Sequence, residues 1–160
     1  MTVESAQVRG RRKLRFRSFD DVLADAENVH FAGYLPLGNW TLGQAVKHLG
    51  NAMHGCIDGV AFEAPLHIRI LGRLVIRYVI LYWQFPPGAK LPRPAEQALV
   101  PANDTDFDEG MNVLRQGIKR VAVENRRVPH PVIGHLSVDQ WNRFHLRHAE
   151  LHLSFFVPRK

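Results

Sequence analysis

Thr41-Leu42-Gly43-Gln44-Ala45-Val46-Lys47-His48-Leu49-Gly50-Asn51-Ala52-Met53-His54-Gly55-Cys56 is the stretch that decides the fold class. Its first four residues form a capping box, in which the Thr41 hydroxyl and the Gln44 side chain each satisfy an amide that a helix start leaves unpaired. Leu42, Ala45, Leu49, Ala52, Cys56 and Val60 then recur at intervals of three and four, one apolar stripe on a long helix that Pro65 ends. Upstream, Ser18 with Asp21 starts a helix to about Ala32, with Val22, Leu23, Ala26 and Val29 inward and Gly33 as its stop. Tyr34 to Trp40, with Pro36 and Gly38, reads as a loop.

Downstream, Leu66 to Trp83 is a long apolar run broken by Arg69, Arg73 and Arg77 at four-residue intervals. Each arginine costs about 3 kcal/mol at a bilayer centre, so a buried third helix with one wet edge is expected rather than a span. Gln84 to Asn103 holds five of the ten prolines and reads as a long crossover. Asp104-Thr105-Asp106 caps a fourth helix carrying Phe107, Met111, Leu114, Ile118 and Val121, with Arg126 and Arg127 at the end the macrodipole prefers and Pro129 and Pro131 beyond. Ser137-Val138-Asp139-Gln140 is a further capping box, and Trp141, Phe144, His148, Leu151 and Phe155 follow until Pro158. No stretch alternates as a strand does. The expected fold is an all-α four-helix bundle with one long crossover connection and an additional helical segment.

Composition narrows the function classes. At 160 residues, 46 % hydrophobic and 22 % charged, the chain fits one soluble domain. The net charge of +6 is uneven: residues 1–17 hold Arg9, Arg11, Arg12, Lys13, Arg15 and Arg17 against Glu4 alone. That leaves 15 basic and 14 acidic groups for residues 18–160, so the chain divides into a basic arm and a nearly neutral domain. A nucleic-acid-binding body is disfavoured, and the arm is the one place for such contact. Like charges with few apolar anchors predict a frayed arm, with Leu14 and Phe16 positioned to dock at its end. The single cysteine, Cys56, forms no internal disulfide, and no signal segment opens the chain. A cytoplasmic protein without membrane attachment is the expectation.

Histidine is over-represented, with nine copies. On the last helix His148 shares the inward stripe, and His152 stands four residues on, about 40° around and about 6 Å along. Two inward imidazoles at that spacing can converge on a divalent ion about 2.1 Å from each. His145 lies close to His152 on the wheel and can substitute for either. A third ligand must come from another helix, and His48, flanked by Ala45, Leu49 and Ala52, is best placed. His54 falls on the other side of that helix, and His30, His67, His130 and His135 fall near helix ends or in loops.

The segment Gly38-Asn39-Trp40-Thr41 through His48-Leu49, with His130-Pro131, Gly134, Leu136, Trp141 and Arg147-His148-Ala149-Glu150-Leu151-His152, resembles the DinB/YfiT-like superfamily. The resemblance extends from about Arg11 to Phe156 and is to a branch of small bacterial proteins. It implies a helical bundle holding a divalent ion, one of Zn, Ni, Fe, Mn or Co, through His48, His148 and His152. The branch often carries a further histidine where this chain has Leu151. Three neutral imidazoles leave an ion its full charge and an open position, the pattern of catalytic sites. The resemblance further implies a transferase or isomerase that uses a low-molecular-weight thiol on a small electrophile, and a homodimer is in keeping with apolar outer helices. The competing reading is a non-catalytic metal-binding or partner-interaction protein. Arg69, Arg73 and Arg77 are candidates for carboxylate binding, Asp58 and Glu63 for orienting a ligand imidazole, and Trp40 and Trp141 for walling a pocket. Cys56, on an apolar stripe, reads as inert filling.

Overall fold

Each of the three capping boxes forms with both of its hydrogen bonds, and each launches a helix where the sequence places one. The computed structural model describes residues 4–62, 64–83, 85–88 and 100–159. In chain order these hold α1 (Phe19–Ala32), strand β1 (Tyr34–Pro36), α2 (Leu42–Asp58), α3 (Leu66–Leu71), a π-helical turn (Gly72–Ile76) and α4 (Arg77–Tyr82). After them come α5 (Phe107–Val123), α6 (Val138–Leu153) and strand β2 (Phe156–Pro158). The fold is all-α, and its helices enclose one core to which α1, α2, α5 and α6 all contribute. No described helix is long and apolar enough to cross a membrane.

The closest pairing is between α2 and α5, and glycine makes it close. A Cβ at Gly43 would stand 2.3 Å from the Thr105 carbonyl oxygen, one at Gly50 2.7 Å from the Leu114 nitrogen, and one at Gly110 2.5 Å from the Gly43 carbonyl oxygen. Gly43 and Gly50 are seven residues apart, as are Gly110 and Gly117, so both pairs recur along one seam. His48 lies about 150° around α2 from that seam and faces α6 instead. The glycines therefore set the rotation of α2 that points His48 inward.

Four expectations need correction. The second helix stops at Asp58, before Pro65, because Gly59 takes φ 95° and returns its amide to the Gly55 carbonyl. Two strands exist: Tyr34, Leu35 and Pro36 pair antiparallel with Pro158, Val157 and Phe156, and three residues are too few to show alternation. The basic arm is docked from Arg11 onward. Arg12 holds both Asp25 oxygens at 2.7 Å, and the Phe16 amide donates to Glu150 Oε1 at 2.6 Å while its carbonyl accepts from Arg147 at 2.7 Å. Phe16 is buried, as the docking of its end requires.

The fourth correction concerns the third helix, which is mostly exposed. Only Gly72, Ile80 and Leu81 are buried, whereas Leu66, Ile70, Leu71, Leu74, Val75, Tyr78, Val79, Tyr82 and Trp83 face outward. The π turn coincides with the contact that pins the helix, since a Cβ at Gly72 would lie 2.4 Å from the Val132 carbonyl oxygen. Gln84 and residues 89–99 of the expected crossover, and Glu63, lie outside the described residues.

Candidate metal centre

Three imidazoles from two helices meet between α2 and α6. His148 Nε2 lies 3.2 Å from His48 Nε2 and 3.0 Å from His152 Nε2, and one ligand atom from each of the three lies within 4.8 Å of the others. The α6 pair meets because one helical turn separates its members, and His48 meets them because the glycine seam turns α2 that way. His48 is 5 % exposed, and its two partners are partly buried.

Aromatic rings enclose the cluster. The Trp40 indole stacks on His152 at 5.0 Å between centroids and 7° between planes, and meets His48 edge-on at 5.0 Å. Phe85 stacks on His148 at 5.5 Å, with Phe144 beside it at 5.6 Å. Desolvation holds both α6 imidazoles well below the usual histidine pKa, with neighbouring histidines adding to the effect: His48 on His152, and His152 and His48 foremost on His148. Both are neutral near pH 7, the state in which a ring nitrogen keeps a lone pair.

The donor set fits a divalent cation. Nitrogens each about 2.1 Å from one ion, at angles between octahedral and tetrahedral, stand roughly 3.0–3.4 Å apart. The two Nε2 separations at His148 lie in that range. Three inward lone pairs in a dry site repel unless a proton or cation lies between them. His148 Nδ1 is buried with no hydrogen-bond partner among the described residues, so its imidazole lacks the outer carboxylate that often orients a ligand histidine.

The other candidates go elsewhere. His145 is fully buried but stays outside the cluster, stacked on Trp141 at 5.5 Å, with burial pushing its pKa down to about 3. His130 Nδ1 accepts the Val132 and Ile133 amides at 3.0 and 3.2 Å, and burial takes it down to about 4. His54 lies 3.1 Å from an Arg120 nitrogen, His30 stacks on Phe107, and His67 and His135 are exposed. The Cys56 thiol donates to the Met53 carbonyl, and burial raises its pKa to about 11, which keeps it inert.

Asp58 is exposed and paired with Arg120 at 2.6 and 2.8 Å, so it orients no ligand. Arg77 donates to Gln140, while Arg69 and Arg73 border a separate cleft of about 300 Å³ with Phe62 and His130. Trp40 does wall the cluster, whereas Trp141 packs on His130 and His145.

Two features escape a sequence reading. Phe85 sits beside two prolines, outside any periodic segment, yet stacks on a cluster imidazole. Arg147 and Glu150, 2.9 Å apart and both buried, hold the Phe16 backbone immediately beside the histidine pair. Their signal is an opposite-charge pair at i,i+3 on a helix whose neighbouring positions point inward.

The sequence profile of a family described as "Protein of unknown function (DUF1569)" matches residues 8–159, and the chain belongs to that family. No curated protein and no solved structure matches it.

Proposed function

We propose that the chain is a divalent-metal-dependent enzyme of the DinB-like superfamily, with His48, His148 and His152 holding the ion. The observation that carries this reading is the convergence of three imidazoles from two distant segments, with His148 Nε2 at separations from His48 Nε2 and His152 Nε2 that suit one cation. Membership of the DUF1569 family does not conflict with it. The match of Trp40, His48 and the His148–His152 pair to the superfamily pattern supports it.

A divalent ion in this site supplies the charge that lowers the pKa of a thiol or water into the neutral range, which is the activation that S-transfer to a small electrophile needs. The chain's own residues do the rest. The neutral imidazoles contribute three lone pairs and no charge. Trp40 and Phe85 pack on two of the rings and limit water at their faces, and they offer an apolar surface to a small uncharged electrophile. The low-molecular-weight thiol and the cytoplasmic setting are part of the same proposal.

Metal analysis of protein purified without a histidine tag tests the first half. One divalent ion per chain is expected, falling below about one tenth in His48→Ala, since loss of one of three ligands removes most of the affinity. Full occupancy in that variant contradicts the ligand set. Conjugation of glutathione to 1-chloro-2,4-dinitrobenzene, with and without chelator, tests the second half. A chelator-sensitive rate is expected in wild type and none in His148→Ala. A metal-loaded protein inert toward this pair and other thiol–electrophile pairs favours the non-catalytic reading.

A further inference from the structure

The outward side of α3, the π turn and α4 carries nine large apolar residues, among them Leu74 at 69 %, Tyr78 at 61 % and Trp83 at 74 % exposure. We infer that this side is the interface of a homodimer whose occupant is a second copy of the same helix, laid antiparallel about a two-fold axis near Leu74 and Val75.

Area argues for a protein partner of that size. At about 150–250 Å² for a large side chain, the exposed fractions amount to roughly 1,000 Å², against about 800 Å² per partner in a standard stable interface. Monomers rarely leave a contiguous apolar patch beyond a few hundred Å². A segment of the chain itself is too poor to cover it. Residues 89–99, the longest stretch outside the described residues, contain only Leu91 and Leu99 as large apolar side chains, alongside Pro92, Pro94 and the charged Lys90, Arg93 and Glu96.

Basic groups adjoin the face, with Arg143 over the Tyr82 ring at 4.9 Å and Arg73 exposed, so an anionic bilayer is the competing occupant that the vesicle measurement below separates from a second copy. Arg77 is turned to Gln140 on α6, and Arg69 and Arg73 border the cleft beside the 128–134 loop. The row is also self-complementary. Its first half is aliphatic, Leu66, Ile70, Leu71, Leu74 and Val75, and its second half is mainly aromatic, with Tyr78, Tyr82 and Trp83. Antiparallel pairing sets each aromatic half against the partner's smaller side chains, over the roughly 25 Å that seventeen helical residues span.

Sedimentation equilibrium and a cysteine pair test this on the full chain. At about 20 µM, wild type is expected at twice 18.3 kDa, as a standard-size interface allows. Leu74→Glu puts two carboxylates beside the axis and is expected to yield a monomer with an unchanged helical circular-dichroism signal. Val75→Cys, in the otherwise native surface, is expected to form a disulfide-linked dimer under mild oxidation; Val123→Cys, exposed on α5, is expected not to. Cys56 is buried and does not compete. A wild-type monomer at ten times that concentration, a Leu74→Glu dimer, equal cross-linking at position 123, or a monomer that sediments with phosphatidylglycerol vesicles overturns the inference.

Discussion

Helix α2 and the α3–α4 helix are both rich in apolar residues, yet one is mostly buried against its neighbours and the other is an outer wall. Along α2 the apolar positions recur with glycines seven residues apart, and the backbone of α5 fills the space those glycines leave. Along α3 and α4 only Gly72 has such a partner, and large side chains everywhere else keep the remaining chain at a distance. The comparison teaches that periodicity reports which residues avoid water, while small residues report where another backbone approaches.

Substitutions that reach the buried side carry the largest expected effects. Glu150→Ala leaves the Arg147 guanidinium buried beside one backbone carbonyl, and a loss of about 4 kcal/mol in urea unfolding is expected. Because Phe16 loses its anchor, limited proteolysis of that variant is expected to begin within residues 9–17. Gly50→Ala pushes a methyl against the α5 backbone and is expected to lose about 3 kcal/mol by the same measurement. A near-neutral result there would erase the contrast between the two regions.

Acid probes the buried side without mutation. His130 and His145 are held neutral by burial, down to about pH 4 and 3, whereas both protonate near pH 6.5 once unfolded. The unfolded chain then binds more protons as pH falls below 6.5, so stability is whole above that value and declines beneath it. About 2 kcal/mol is expected to be lost for each ring between pH 8 and pH 5. His145→Phe, which keeps an aromatic ring against Trp141, is expected to remove the roughly 2 kcal/mol of that loss which its own ring contributes.

The outer wall gives the smallest effect. Leu74→Ser, measured in dilute monomer, is expected to change unfolding stability by less than about 0.5 kcal/mol, because its side chain is already in water. A loss as large as that of Gly50→Ala would mean the helix is covered by the chain's own residues.

Local chemistry was the legible part of the fold. Ser18, Thr41 and Ser137 each announce a helix because their partners lie three residues away, and all three boxes form. The inward pair His148 and His152 was legible for the same reason, as one turn of helix is enough to place it. His48 needed more, since its meeting with the pair depends on a glycine seam whose other half lies some sixty residues on. The arm's apolar end at Leu14 and Phe16 was legible as a docking point, but not the docking of Arg12 nor the partners of Phe16, which lie 131 and 134 residues away. The exposure of α3 and α4 was illegible because an apolar run looks alike whether it meets its own chain or something else.

Anomalous diffraction from crystals of untagged protein, collected above and below the absorption edge of the bound metal, tests the central claim most directly. One peak per chain is expected, about 2.1 Å from Nε2 of His48, His148 and His152. A fully occupied ion bound elsewhere, or His48 turned away from the other two with no peak between them, would contradict the account.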